Sequence, residues 1–297
     1  RNSRNFWCNV KGIGSWSLTG HSAEELSKKF TEMQDDSEVT AGFMWQKTTR
    51  ESKKYQLRGE ILSFIPVDKN VEIMLVTITN TGRMAQTVTP TAAIPLYGRS
   101  ADNIRDHRHV TSLLHRIETT DTGVLVTPTL SFDERGHQVN HMTYYCVGWS
   151  GNGEKPVDFY PTAEDFVGEG GNFERPYAIV KNAEGVKAGT KIEGLEAVGG
   201  LHFSEITLEP EEECSYLIFT GITEDIQEIR NLSKTYTTRE KVLEELEKTK
   251  AYWQEKVNVA YHTGDSDFNQ FMHWVSFQPI LRRIYGCSFL PHHDYGK

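Results

Sequence analysis

From Trp7 to about Thr223 the chain is written in short runs of β-branched and aromatic residues separated by turn signals, the pattern of a β-sandwich. The clearest run is Val71 to Thr79. Val71, Ile73, Leu75 and Thr77 share one face, and Glu72, Met74, Val76 and Ile78 share the other. The second face is polar only at its start, which predicts a strand covered on both sides for most of its length. Asn80-Thr81-Gly82 turns the chain, and Ala85 to Ile94 reads as the return strand. Val124 to Phe132 runs into Asp133-Glu134-Arg135-Gly136, a hairpin turn with glycine where a positive φ is needed. Met142 to Trp149 is the next strand. Leu201 to Leu208 and Ser215 to Ile222 are expected to pair across the acidic turn Glu209-Pro210-Glu211-Glu212-Glu213. Only Ser22 to Phe30 reads as helix in this half, and no fixed-period repeat is present.

At Thr235 the apolar period changes from two to about 3.6. Thr237 to Glu240 fits a capping box, with Thr237 as N-cap. Val242, Leu246, Trp253 and Val257 then form one stripe of an amphipathic helix. His262-Thr263-Gly264 breaks the pattern, and a second helix opens at Asp265 or Ser266 carrying Phe268, Phe271, Met272 and Val275. Pro279 should kink or end it. The fold class is therefore mainly β. A large sandwich occupies residues 1–234, a helical linker 235–262, and a second, helical unit starts over 263–297.

Composition narrows the function. A net charge of −9 argues against nucleic acid, and no stretch approaches a membrane span. Cys8, Cys146, Cys214 and Cys287 are far apart without a Cys-x-x-Cys pair, so they read as free thiols of a cytoplasmic protein. Arg1 to Trp7 carries no signal-peptide pattern. Tyr285 to Lys297 is dense in sugar-binding groups, so the chain reads as the front part of a longer enzyme, cut at the threshold of its active site.

Several constellations carry candidate chemistry. Gly98 to His109 alternates acid and base. It reads equally as a solvated salt-bridge network and as a polar wall against a sugar or a neighbouring domain, with Asn103, Arg105, Asp106 and His107 as contacts. His107 and His109 have the spacing of a metal pair, but no third ligand lies near them in sequence, so no metal is expected. Gly168-Glu169-Gly170-Gly171 lacks the Gly-Lys-Ser/Thr ending of a phosphate loop. It reads as a tight turn within an aromatic loop suited to cover a cleft. No Gly-x-Ser-x-Gly nucleophile motif is present. Trp253 and Trp274 are expected to pack between helices.

Longer blocks carry a resemblance. Arg99 to Leu114, Thr127 to His137, Asp165 to Gly171 and Ser288 to Gly296 resemble the glycoside hydrolase family 94 phosphorylases, most closely the 1,2-β-oligoglucan phosphorylases. The phosphorylase-like domain of cyclic β-1,2-glucan synthases is the second choice. The resemblance implies a galactose-mutarotase-like supersandwich, a helical linker and an (α/α)6 barrel, of which residues 263–297 would be the start. It implies inverting phosphorolysis, with inorganic phosphate as co-substrate and no cofactor, and a product of α-glucose 1-phosphate. One aspartic acid protonates the leaving oxygen while phosphate attacks, so no second catalytic carboxylate is needed. No residue of this chain matches that acid, so no catalytic residue is assigned and the chain alone is expected to be inactive. His292, His293, Asp294 and Tyr295 are carried over as substrate contacts at the barrel entrance. The implied partners are a β-glucan oligosaccharide, phosphate, the rest of the same polypeptide, and a second copy in a homodimer. A stand-alone carbohydrate-binding or assembly module is the competing class. A mutarotase is a third, requiring a histidine and a glutamate together in the sheet cleft.

Overall fold

The computed structural model describes residues 4–98, 111–133 and 136–284. In chain order the first half contains β1 (Asn5–Val10), β2 (Gly14–Ser17), α1 (Ala23–Ser27), β3 (Asp36–Gly42), β4 (Trp45–Ser52), β5 (Leu57–Phe64), β6 (Val71–Asn80) and β7 (Gln86–Leu96). Then come β8 (Arg116–Thr119), β9 (Gly123–Val126), β10 (Leu130–Asp133), β11 (Gly136–Val139), β12 (Thr143–Ser150) and β13 (Asp158–Thr162). Helices α2 (Ala163–Val167) and α3 (Tyr177–Lys181) precede β14 (Lys191–Glu193), β15 (Ala197–His202), β16 (Ile206–Leu208) and β17 (Glu213–Thr223). The chain continues as α4 (Ile226–Thr235), α5 (Arg239–Lys256) and α6 (Ser266–Ile284).

Two antiparallel sheets face each other. One has six strands, in the order β13-β15-β7-β1-β2 with β16 also on β7. The other has nine, β14-β8-β9-β12-β17-β6-β5-β4-β3. The space between them is filled by Phe6, Val10, Trp16, Met74, Val76, Ile78, Ala92, Ile218 and their neighbours. The outer face of the nine-stranded sheet packs Ile73, Leu75, Val147, Trp149 and Phe219 against Ile229, Leu232, Val242 and Leu246 of α4 and α5. β6 therefore contributes alternate residues to two cores, as its two apolar faces predict. The outer face of the six-stranded sheet is covered by α2 and α3 through Trp7, Tyr160, Phe166 and Ile179. Trp253, Val257 and Phe277 form a fourth cluster where α5 and α6 meet the β3–β4 hairpin.

Several local readings hold. Ser22 caps α1 by accepting from the Glu25 amide, although the helix ends at Ser27 and does not reach Phe30. Gly136 stands opposite Asp133 in the β10–β11 hairpin with φ +109°. The stripe Val242, Leu246, Trp253, Val257 is buried. Cys8 and Cys146 are buried free thiols, and burial pushes the Cys146 thiol up to about 12.

Others are corrected. The turn at Asn80 does not return β7 alongside β6; it carries the chain into the opposite sheet. Asn80 is fully buried and organises that crossing. Its amide donates to the carbonyls of Met84 and Leu208, each at 2.8 Å, and its Oδ1 accepts from the Gly82 N–H at 2.9 Å. The acidic turn behaves alike: β16 pairs with β7, and β17 with β6 and β12. The Glu211 N–H donates to the Asn80 carbonyl, so the two crossings are tied together. α2, α3 and α4 are additional helices. α5 starts one residue later than expected, with Thr238 as N-cap and no side-chain cap bond. Hydrogen bonding to Thr238 instead lowers the pKa of the exposed Glu240 carboxyl. α6 runs through Pro279. Proline there withdraws one donor from the carbonyl of Val275, an exposed position where water can replace it. Trp253 is buried, but Trp274 is 42% exposed and rests on Phe43 rather than between helices.

Candidate functional site: a polar cleft beside the six-stranded sheet

The end of β13 sets the site. Thr162 is extended, accepts from the Asp165 N–H at 3.1 Å and donates to the Asp165 carboxylate at 2.7 Å. That reciprocal cap opens α2, whose Phe166 is fully buried beneath it. Gly168 closes α2 with φ +75° and lies so near Tyr177 that a Cβ would stand 2.6 Å from the tyrosine Cβ. At Gly171 a Cβ would stand 1.9 Å from the Val167 carbonyl oxygen, so only glycine fits the turn. The glycine run is thus a tight turn, as read from sequence. Asn172 then accepts from the N–H groups of Glu174 and Arg175 at 3.0 and 2.9 Å, and Phe173 packs 5.8 Å from Phe166.

This loop walls a cleft of about 500 Å³ whose polar lining is His21, Ser112, Glu164, Asn172, Glu174 and Glu196. His21 Nε2 lies 3.9 Å from Glu174 Oε1. A narrower hollow continues from it toward Tyr97, Thr111 and His115. His115 is buried, with Nδ1 3.0 Å from the Leu195 carbonyl oxygen. Burial lowers its pKa against the opposing pull of backbone hydrogen bonds to Leu195 and Gly98, which favours the neutral imidazole. Gly98 packs against His115, and Thr111 and Ser112 line the hollow. Tyr97 and Thr111, on either side of positions 99–110 in sequence, both line this hollow. The cleft's chemistry is that of carboxylates, an imidazole and an amide facing solvent, which suits hydroxyl recognition. No group of His, Cys, Asp or Glu suited to hold a metal occurs among the described residues.

α1 flanks the cleft, tied to it by the Ala23 N–H on the Glu174 carbonyl. Its Glu24 accepts from Lys28, Lys54 and Tyr55 at 2.7–2.8 Å. Partial burial pushes the Glu24 carboxyl up, but these hydrogen bonds outweigh it and bring it from 4.5 down to about 2. A depressed folded-state value means the stabilisation is complete above about 4.5 and is lost as the pH falls toward about 2. Thermal melts of wild type and Glu24→Gln are therefore expected to differ at neutral pH and to converge on acidification through that window. A gap independent of pH would rule this account out.

The residues expected to bind substrate, His292, His293, Asp294 and Tyr295, and the possible wall contacts Asn103, Arg105, Asp106 and His107, lie outside the described residues. The cleft residues escaped sequence reading except in the glycine-rich loop. Thr162-x-x-Asp165 was an available signal; His21, Ser112 and Glu196 come together only through topology. A histidine–acid pair does occur: His202 Nδ1 is 2.7 Å from Asp158 Oδ1, with Lys187 3.8 Å from the other carboxylate oxygen. Both partners are buried, so it ties β13 to β15 and does not present the cleft-facing pair a mutarotase requires.

Two facing antiparallel sheets, helices over both outer faces and a polar cleft at one side make up a supersandwich domain. Residues 14–239 match the family model described as glycosyl hydrolase 94, supersandwich domain, and the chain belongs to that family. No curated protein matches the sequence. Among solved structures it is similar to a bacterial glucoamylase complexed with acarbose (10% identity, TM-score 0.45, 87% of this chain and 32% of that one). It is also similar to a polysaccharide lyase (11%, 0.36, 77% and 26%) and to the GH36 α-galactosidase AgaA from Geobacillus stearothermophilus in complex with stachyose (11%, 0.29, 74% and 30%). The chain spans no more than about a third of the length of these structures. No helix among the described residues is long and apolar enough to cross a membrane.

Proposed function

We propose that this chain is the N-terminal part of an inverting β-glucan phosphorylase that converts a 1,2-β-oligoglucan and phosphate into α-glucose 1-phosphate and a shortened glucan. The observation that carries the reading is the family match over residues 14–239. The specificity rests on the resemblance of the blocks at 99–114, 127–137, 165–171 and 288–296. Residues 1–234 form the sandwich, 235–262 the linker and 263–297 the opening of the barrel. Support for the last point comes from α6, where Phe268, Phe271 and Val275 form an exposed apolar stripe of the kind a further helix covers. The protein works without metal or cofactor, in the cytoplasm and as a homodimer. Its general acid lies in the barrel, and His292, His293, Asp294 and Tyr295 contact the sugar at the barrel entrance.

The test is phosphorolysis of 1,2-β-oligoglucans in the presence of phosphate. The protein extended through its barrel is expected to release α-glucose 1-phosphate, and residues 1–297 alone are expected to release none. Removing a general acid typically costs ~10²–10⁴ in rate. Phosphorolysis by the isolated chain would refute the placement of the acid. Its absence from the extended protein would refute the reaction.

A further inference from the structure

We propose that the aromatic hollow between the β3–β4 hairpin and helices α5 and α6 is a second saccharide-binding site, separate from the cleft described above. The hollow measures about 450 Å³ and is lined by Phe43, Trp45, Lys250, Gln254, Gln270 and Trp274. That is within the range of small-ligand pockets, which run roughly 300–1,000 Å³.

Its aromatic groups are fixed in place. Phe43 at the hairpin tip sits 4.6 Å from Phe277 and 4.9 Å edge-on from His273. The Trp274 indole is stacked on Phe43 at 5.9 Å and 18°. With its inner face so held, the ring is still 42% exposed. Trp45 lies close over Gly42, where a Cβ would stand 2.3 Å from the indole nitrogen. Lys250 reaches over the Trp45 ring at 4.7 Å. On α6, Gln270, Trp274 and Phe277 follow helical spacing on the side facing the hairpin. Phe268, Phe271 and Val275 form a separate stripe, centred roughly 125° around the helix axis. The hollow is thus not the face offered to a following helix.

The polar groups select the ligand class. Gln254 and Gln270 are exposed and have no hydrogen-bond partner among the described residues. Each amide offers donors and an acceptor. Among the described residues no carboxylate lines the hollow. Lys250 is committed to Glu247 at 2.8 Å, and His273 Nε2 is 2.9 Å from the Val257 carbonyl oxygen. A purely apolar ligand would leave the amides unused, and an anion would find no free cation among the described residues that line the hollow. A pyranose satisfies both sets of groups, with a flat C–H face for the indole and hydroxyls for the amides. The site takes a neutral pyranoside, held by stacking on Trp274 and by hydrogen bonds to Gln254 and Gln270.

The choice of probe rests on the phosphorylase reading; the site does not. Titration of the chain with 1,2-β-gluco-oligosaccharides, and in parallel with cello-oligosaccharides, is expected to give saturable quenching of tryptophan fluorescence. Gln254→Ala/Gln270→Ala removes two hydrogen bonds without touching the ring stack. It is expected to weaken binding about tenfold or more. Trp274→Ala should abolish binding, and the double glutamine variant keeps the test decisive if Trp274→Ala unfolds. No saturation with either sugar series, or unchanged affinity in the double variant, would overturn the site. Phosphorolysis is read separately on the extended protein. Catalysis without binding here would sink this site alone, and binding here without catalysis would support it while sinking the reaction.

Discussion

Trp149→Ala is expected to destabilise the protein by about 4 kcal/mol, the middle of the range for truncating a buried aromatic. Trp149 is 4% exposed and stands at the centre of the contact between the nine-stranded sheet and its helices. Its ring is stacked on Phe219 at 4.7 Å, and Phe219 is stacked on Tyr236 at 5.5 Å, so strand β12, strand β17 and the end of α4 are joined by three rings. The indole N–H donates to the Tyr236 carbonyl at 3.0 Å. Tyr236 is pinned from the other side by Lys69, whose ammonium donates to the phenol at 2.9 Å and lies over the ring. Truncation removes the packing, opens a cavity and leaves a buried carbonyl without its donor. Trp149→Phe retains most of the stack but loses the hydrogen bond and part of the packed ring, so about 2 kcal/mol is expected. Urea unfolding of the two variants separates these contributions. A loss below about 1 kcal/mol for Trp149→Ala would show that α4 and α5 are held elsewhere.

The success and failure of sequence reading divide along a physical line. Much of what depends on neighbours in sequence was legible, although α2, α3 and α4 were not. The alternation from Val71 to Thr79 predicted a strand covered on both faces, and the structure places Met74, Val76 and Ile78 in one core and Ile73 and Leu75 in another. The stripe through Val242, Leu246 and Trp253 was legible for the same reason. Strand pairing was not. Asn80-Thr81-Gly82 announces a reversal, but a turn signal does not say whether the next strand stays in its sheet. Here the buried Asn80 amide bonds to the Leu208 carbonyl, 128 residues away, and directs the crossing. The candidate cleft was half legible on the same grounds. Its glycine-rich aromatic loop is a local feature. The approach of His21, Ser112 and Glu196 follows from sheet order, which no local pattern records.

Gly199→Ala is expected to cost about 2–3 kcal/mol, although it adds a single methyl group. The pair Gly199-Gly200 lies just before the strand expected from Leu201 to Leu208. In the structure it lies inside β15, a central strand of the six-stranded sheet. The reason is close approach. A Cβ at Gly199 would stand 2.3 Å from the Cys146 Cβ on the opposing sheet and 2.7 Å from its sulfur. On the other face, a Cβ at Gly200 would stand 2.5 Å from the Tyr160 carbonyl oxygen. Facing sheets usually pack about 10 Å apart with interdigitating side chains. Here the cysteine fills the room that a side chain at position 199 would need. The obstructing atom is a Cβ fixed to the backbone, so rotamer change does not relieve it. Cys146→Gly should restore that room. The double variant Gly199→Ala/Cys146→Gly is therefore expected to be more stable than the sum of the single losses allows, with a coupling of about 1 kcal/mol or more. Strict additivity would mean that the sheets separate to admit the methyl group and that the sandwich is less rigid at its centre than its packing requires.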